Sequence, residues 1–259
     1  MSLHLYGVIR WPVAGLTPGA AADFGTGIGS PPRPVDAIVH QDLAALASRV
    51  HPSEVGTSNV RVLRRDMKAH ADVLNRIVAA GKIGAILPFQ FGVVVPSEAA
   101  VAERVLGGAR ARALRERLER LEGAVELKLR ATYLEDVVLR EVVAEQPQLA
   151  AAGAGSSRSR GGSYQSKIET GRRVAAAIRA KRALDAQRLL DALKPVAREI
   201  RAGRAGSDMT VLSASFLVGR GAIDRFDRAL EQIHARERTR LKLDCVGPLP
   251  PFSFTDLKL

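Results

Sequence analysis

The sequence predicts an α+β fold divided into two domains, residues 1–122 and 123–259. Three observations carry this. Leu63, Met67, His70, Leu74 and Ile77 recur at intervals of four, three, four and three, the spacing of one helix face. Val125, Leu127, Leu129 and Ala131 alternate with Glu126, Lys128 and Arg130, the period of a half-buried strand. Strand and helix patterns follow one another in a similar order in both halves. Each half also carries a proline-aromatic-polar-aromatic run, Pro88-Phe89-Gln90-Phe91 and Pro251-Phe252-Ser253-Phe254. This hints at two related domains, each an antiparallel-rich sheet covered by helices.

The elements read in order as follows. Leu3 to Trp11 is apolar and aromatic, hence a strand. Pro12 to Pro34 is too rich in Gly and Pro for a regular element and reads as a long loop. Val35 to His40 is a second strand, and the stretch from Asp42 to Val50 reads as a short helix. Gly81 suits the C-terminal end of the amphipathic helix. Ile83 to Val95 is a buried strand interrupted at Pro88. Ser97 suits the N-cap of a charged helix or helix pair that runs to Glu122. Gly123 marks the domain boundary, and the alternating strand is followed by a helix from about Leu134.

Residues 153–163 are nearly devoid of side chains able to enter a core and read as a mobile loop. A basic helix is expected over 166–201, kinked or broken at Pro195. Met209 to Val218 is a strand, Ile223, Phe226, Leu230 and Ile233 form a helical stripe, and Leu241 to Val246 is the last strand. Core packing is the expectation for Phe89, Phe91, Phe252 and Phe254.

Hydrophobic residues at 46% and charged residues at 25% are globular values, so the chain can bury a core. Cys245 is the only cysteine, which excludes an intramolecular disulfide and suits a reducing cytoplasm. The start does not read as a signal peptide, and no apolar run approaches the roughly 18 residues of a membrane span. The expectation is a soluble intracellular protein without a membrane partner.

Net charge is +12, and its distribution is uneven. Residues 156–206 hold thirteen Lys/Arg against four acids, an excess of nine. Within this segment Arg158, Arg160, Arg172, Arg173, Arg179, Lys181 and Arg182 are the candidate partner-binding residues. A charged helix face is also what solvation alone produces, so both readings stand. A nucleic-acid-binding module using residues 156–206 is the alternative function.

No enzyme class collects a set of residues. There is no GxxxxGK[ST], and Gly25-Thr26-Gly27-Ile28-Gly29 runs into Pro31-Pro32 rather than a helix. His4, His40, His51, His70 and His234 have no metal-ligand spacing. His70, on the apolar helix face, reads as a hydrogen-bonded core or interface histidine. Cys245 reads as a packed thiol, and Ser213 and Ser215 lie in a strand rather than a nucleophile elbow.

Several landmarks in order resemble the gas vesicle GvpF/GvpL family. They are LYGVI near the start, AHADVLNRI on a helix, Leu87-Pro88-Phe89-Gln90-Phe91-Gly92, Phe216-Leu217-Val218 and Gly247-Pro248-Leu249-Pro250-Pro251-Phe252-Ser253-Phe254. The family commonly has Arg where Gln90 stands and Tyr where Phe252 stands. The resemblance implies an N-terminal ferredoxin-like domain and a C-terminal α+β domain. It implies a non-enzymatic accessory role in early gas vesicle assembly, without a cofactor. The implied partners are the small hydrophobic shell protein and other accessory proteins, and the implied location is the gas vesicle in the cytoplasm.

Overall fold

The computed structural model describes residues 1–15, 24–51, 59–145, 164–204, 206 and 209–256. They are mixed helices and antiparallel sheets, so the fold is α+β as expected. The chain divides into two compact units, Met1–Glu126 with Gly247–Leu259, and Leu127–Val246. The expected mobile loop at 153–163 lies outside the described residues.

The first unit is built on β1 (Ser2–Arg10), whose residues from Leu3 to Ile9 are all buried. It pairs antiparallel with β3 (Leu43–Val50), which in turn pairs with β2 (Asp36–His40). On its other side β1 pairs with β4 (Ile86–Pro88) and β5 (Val94–Val95). Gly7 is required for this closeness, because a Cβ there would lie 2.7 Å from the Leu87 carbonyl oxygen.

The stretch 43–50 is a strand, not the short helix expected from its alanines and leucines. His40 pairs with Leu43 across a two-residue turn in which Gln41 takes φ 56°. Such a turn usually signals itself by Gly or Asn, and neither is present. Seven of the eight β3 residues are buried in the sheet, so tertiary burial overrides helix propensity. The apolar run 83–95 likewise divides in two, with a turn at Gly92 (φ 99°) between β4 and β5.

Helix α1 (Val60–Ala80) begins where Asn59 Oδ1 accepts from the Arg61 and Val62 amides at 3.0 and 3.3 Å. It ends at Gly81, in the left-handed conformation expected of a C-terminal glycine. Its buried face holds His70, Val73, Leu74, Ile77 and Val78, while Met67 of the expected stripe is exposed. Ser97 Oγ caps a short α2 (Glu98–Ala100), which passes through a π turn (Val101–Leu106) into α3 (Gly108–Leu121).

The second unit carries a four-stranded sheet in the order β7-β8-β6-β9, from β6 (Ala124–Tyr133), β7 (Glu199–Ala202), β8 (Thr210–Gly219) and β9 (Leu241–Leu249). The alternation predicted for β6 holds at Lys128 and Arg130, exposed between buried Leu127, Leu129 and Ala131. These residues, with Leu212, Ala214 and Phe216 of β8, form one core with three helices. The helices are α4 (Glu135–Glu145), α5 (Tyr164–Leu193) and α6 (Ile223–Glu237). The Phe216 and Phe226 rings meet edge to face at 5.2 Å.

The long basic helix expected to reach residue 201 ends at Leu193. A 3-10 turn at Lys194–Val196 contains Pro195, and the chain then enters β7, where Ile200 pairs with Phe216.

The C-terminal segment after β9 is grouped with the first unit. Phe254 is fully buried and Phe252 is half-buried. The first run shows the same split, with Phe89 buried and Phe91 half-buried.

Candidate functional site

The cations singled out in the sequence do not form one face. Arg158 and Arg160 lie outside the described residues. The other five lie on α5, where 100° per residue sets their directions. Arg172 and Arg179 are seven apart, nearly two full turns, and are exposed on one flank. Arg172 and Lys181 are nine apart and point to opposite sides.

Arg173 is engaged along its own helix, its Nε donating to Glu169 at 3.1 Å. Arg182 is half-buried. Lys181 turns inward, with Nζ 2.6 Å from Glu145 and 3.2 Å from Glu141 of α4. Burial disfavours its charge, but the two carboxylates outweigh burial and raise its pKa.

Beneath Lys181 lies an ionic network that the sequence reading missed. Arg240 donates to Glu141 from Nε at 2.7 Å and from Nη2 at 3.1 Å, and to Asp185 at 2.9 Å and Glu237 at 2.6 Å. Tyr133 Oη donates to the same Asp185 oxygen at 2.7 Å. Asp185 is buried, and burial alone would raise its pKa. Its bonds to Tyr133 and Arg240 reverse the sign and hold it low. Burial, then Asp185, raises the Tyr133 hydroxyl, and the bond to Glu141 leads the rise at Arg240. The members come from five elements or their flanks, with Tyr133 and Arg240 separated from Asp185 by 52 and 55 positions. No local spacing reveals such a set.

Beside the network, α4 and α5 enclose a groove of about 310 Å³. Its floor is Val142, Ala177 and Ala180, its rim carries Glu145 and Arg188, and Leu184 stands in it 63% exposed. An exposed leucine over alanines offers an apolar contact, and the charges around it are closely balanced.

In the first unit, His70 is buried as the sequence suggested. Its Nδ1 lies 2.9 Å from His4 Nε2 and its Nε2 lies 3.0 Å from the Phe89 carbonyl. Burial pushes the His4 pKa down to about 3, with the nearby His70 adding to the shift, and burial lowers His70 as well. Cys245 is exposed on β9 rather than packed. The protein around its sulfur, and then Asp227, push the thiol above its ordinary value, the opposite of an activated nucleophile. Among the described residues no group of three or more His, Cys, Asp or Glu side chains could hold a metal ion. No helix among them is long and apolar enough to cross a membrane.

Comparison with known proteins gives these features a family. A model of the gas vesicle synthesis protein family GvpL/GvpF matches residues 2–256. Gas vesicle protein F of Streptomyces sp. (strain CB03234) is 36% identical over 99% of this chain and 100% of its own length. Gas vesicle protein F1 of Halobacterium salinarum (strain ATCC 700922 / JCM 11081 / NRC-1) is 24% identical over 80% of this chain and 76% of its own. The crystal structure of GvpF from Anabaena sp. PCC7120 has the same fold, with a TM-score of 0.83 at 21% identity over 100% of this chain and 99% of that one. GvpF from Microcystis aeruginosa follows at 0.75 and 21%, over 99% of each chain. Matched over residues 2–256 by the family model and over 99% of its length by a relative 36% identical to it, the chain belongs to the GvpL/GvpF family of gas vesicle synthesis proteins.

Proposed function

We propose that this chain is a non-enzymatic accessory protein of gas vesicle assembly, acting in the cytoplasm. It binds the hydrophobic shell protein and other accessory proteins during nucleation. The observation that carries the reading is the family match along residues 2–256. The physical rationale is that a small, largely apolar subunit self-associates unless a partner covers it.

The contact surface we assign is the part of α5 that is open to solvent. Leu184 and the alanine floor supply apolar contact. The cations Arg172, Arg173, Arg179 and Arg182, with Arg158 and Arg160 preceding the helix, supply electrostatic guidance, while Lys181 is held inward by Glu141 and Glu145. Arg172 and Arg179 belong to a different flank from Leu184, so the two contributions separate by mutation.

The test is co-expression with the major shell protein followed by pull-down at physiological and high salt, with nuclease treatment. Retention that resists nuclease supports the reading, and persistence at high salt assigns it to apolar contact. Leu184→Glu should lower retention at least about fivefold, the loss of roughly 1 kcal/mol expected of an interface anchor, with the melting temperature unchanged. Arg172→Ala with Arg179→Ala should lower retention mainly at low salt. No retention, with nucleic acid co-purifying instead, would replace this reading with binding of nucleic acid to the basic segment.

A further inference from the structure

Strand β9 ends the sheet order β7-β8-β6-β9, so β6 is its hydrogen-bonded neighbour on one side. On its other side no strand among the described residues pairs with it, so β9 is an edge strand nine residues or about 30 Å long, its N–H row interrupted at Pro248. The opposite edge strand, β7, is only four residues long. Residues 244–248 of β9 are all exposed. Burial alternates along its first four residues, with Leu241 and Leu243 inward and Lys242 and Asp244 exposed. Leu241 and Leu243 pack with the helix-covered core, and Asp227 of α6 lies near Cys245. Lys242, Asp244 and Val246 therefore belong to the open face, with side-chain or residue exposures of 68, 49 and 58%. Lys242 and Asp244 form an ion pair along the strand at 3.3 Å.

We infer that β9 is a self-complementary edge, and that two copies of this chain pair antiparallel through it about a twofold axis at Leu243. In that register Lys242 of each copy lies opposite Asp244 of the other, so one open-face ion pair becomes a ring of four alternating charges. Leu243 lies opposite Leu243, and Leu241 opposite Cys245, on the helix-covered face.

The neighbouring registers are worse for definite reasons. An axis at Lys242 sets lysine against lysine, and one at Asp244 sets aspartate against aspartate. An axis at Cys245 brings Pro248, which has no N–H, into the ladder opposite Lys242. Shifting the pairing by one residue would set an open-face side chain against a helix-covered one. The charge pattern thus selects the partner as well as the register, because a second copy supplies the complement of Lys-x-Asp read in reverse. The product is a single eight-stranded sheet, within the usual size range.

The test is sedimentation equilibrium of the full chain across a concentration series. The wild type should form a dimer in a concentration-dependent way. Lys242→Glu and Asp244→Lys each turn two attractive pairs into repulsive ones and should raise the dimer Kd at least about tenfold. Combining them restores opposite charges across the axis and should restore the dimer. Melting curves by circular dichroism check that these exposed substitutions leave the monomer folded. In a Cys245→Ser background, Leu243→Cys should be captured as a covalent dimer by a short bifunctional thiol cross-linker, because directly opposite residues have Cβ atoms only about 4.5–5.5 Å apart. A wild type that stays monomeric at every concentration overturns the proposal. So does a dimer indifferent to either single reversal, a double variant that fails to recover, or a Leu243→Cys chain that does not cross-link.

Discussion

At the scale of single residues, the histidine pair has one consistent proton arrangement. The Phe89 carbonyl can only accept, so His70 Nε2 donates to it. Neutral His70 then accepts at Nδ1, and His4 Nε2 is the donor. This leaves His4 Nδ1 buried as a lone pair without a hydrogen-bond partner. Tyr6 and Phe91 surround the pair with aromatic rings, and the Tyr6 hydroxyl is occupied by Ser48 and the Ile28 amide. An added proton on His4 would find no acceptor. The unfolded chain takes up that proton near pH 6.5, while folded His4 resists it down to about 3. Stability is therefore fully present above pH 6.5 and falls as the pH drops through this window. The loss attributable to His4 is about 2 kcal/mol by pH 5. Urea unfolding at pH 7.5 and pH 5 measures it, and His4→Phe should remove much of the slope. An identical slope in that variant would mean that His4 does not titrate as described. The place of His70 on an apolar helix face was legible from its spacing. Its partner was not, because His4 lies 66 positions away.

At the scale of elements, Arg240 holds the start of β9 to α4, α5 and α6 through Glu141, Asp185 and Glu237. Removing the guanidinium would leave buried Asp185 with only the exposed Arg188, 3.1 Å from its other oxygen, and Glu141 with Lys181 alone. Arg240→Leu should cost roughly 3 kcal/mol, the effect of breaking a buried pair from one side. Tyr133→Phe, which removes a single donor to Asp185, should cost only about 1–2 kcal/mol. Denaturant titration separates the two, and equal losses would show that the guanidinium is not the hub. Periodicity located α1, α6 and β6 in the sequence because each keeps one face on a core. It misassigned residues 43–50, since Leu-Ala-Ala-Leu fits a helix as well as a strand buried on both faces. It also ran the basic helix on to residue 201, though Pro195 marked the break.

At the scale of the whole molecule, the C-terminal tail is an integral part of the first unit. Glu126 is completely buried although the alternation of β6 would turn it to solvent. Its two oxygens accept from the Ser253 amide at 2.8 Å and the Ser253 hydroxyl at 2.7 Å. Arg120 donates to the Phe254 carbonyl, and the Phe254 ring is sealed in the core. Phe254→Ala should therefore cost about 3–5 kcal/mol, as other large-to-small core substitutions do. Phe252→Ala, at a half-buried ring, should cost clearly less. Thermal unfolding of both variants checks the order, and a Phe254→Ala variant that melts like the wild type would mean that the first unit does not depend on the tail.

The sequence by itself determined the α+β class, the family, the principal helices and strands, and the excess of positive charge between residues 156 and 206. These follow from composition, from local periodicity and from short motifs, all of which are properties of neighbouring residues. Only the tertiary structure decided how that charge is used. It turned Lys181 inward to Glu141 and Glu145, sent Arg172 and Arg179 to another flank, and left Leu184 exposed beside a groove. It also decided that the chain returns to its first unit at its end. Those outcomes depend on partners dozens of positions apart, and the free energy of such contacts is set by burial and geometry that no local pattern encodes.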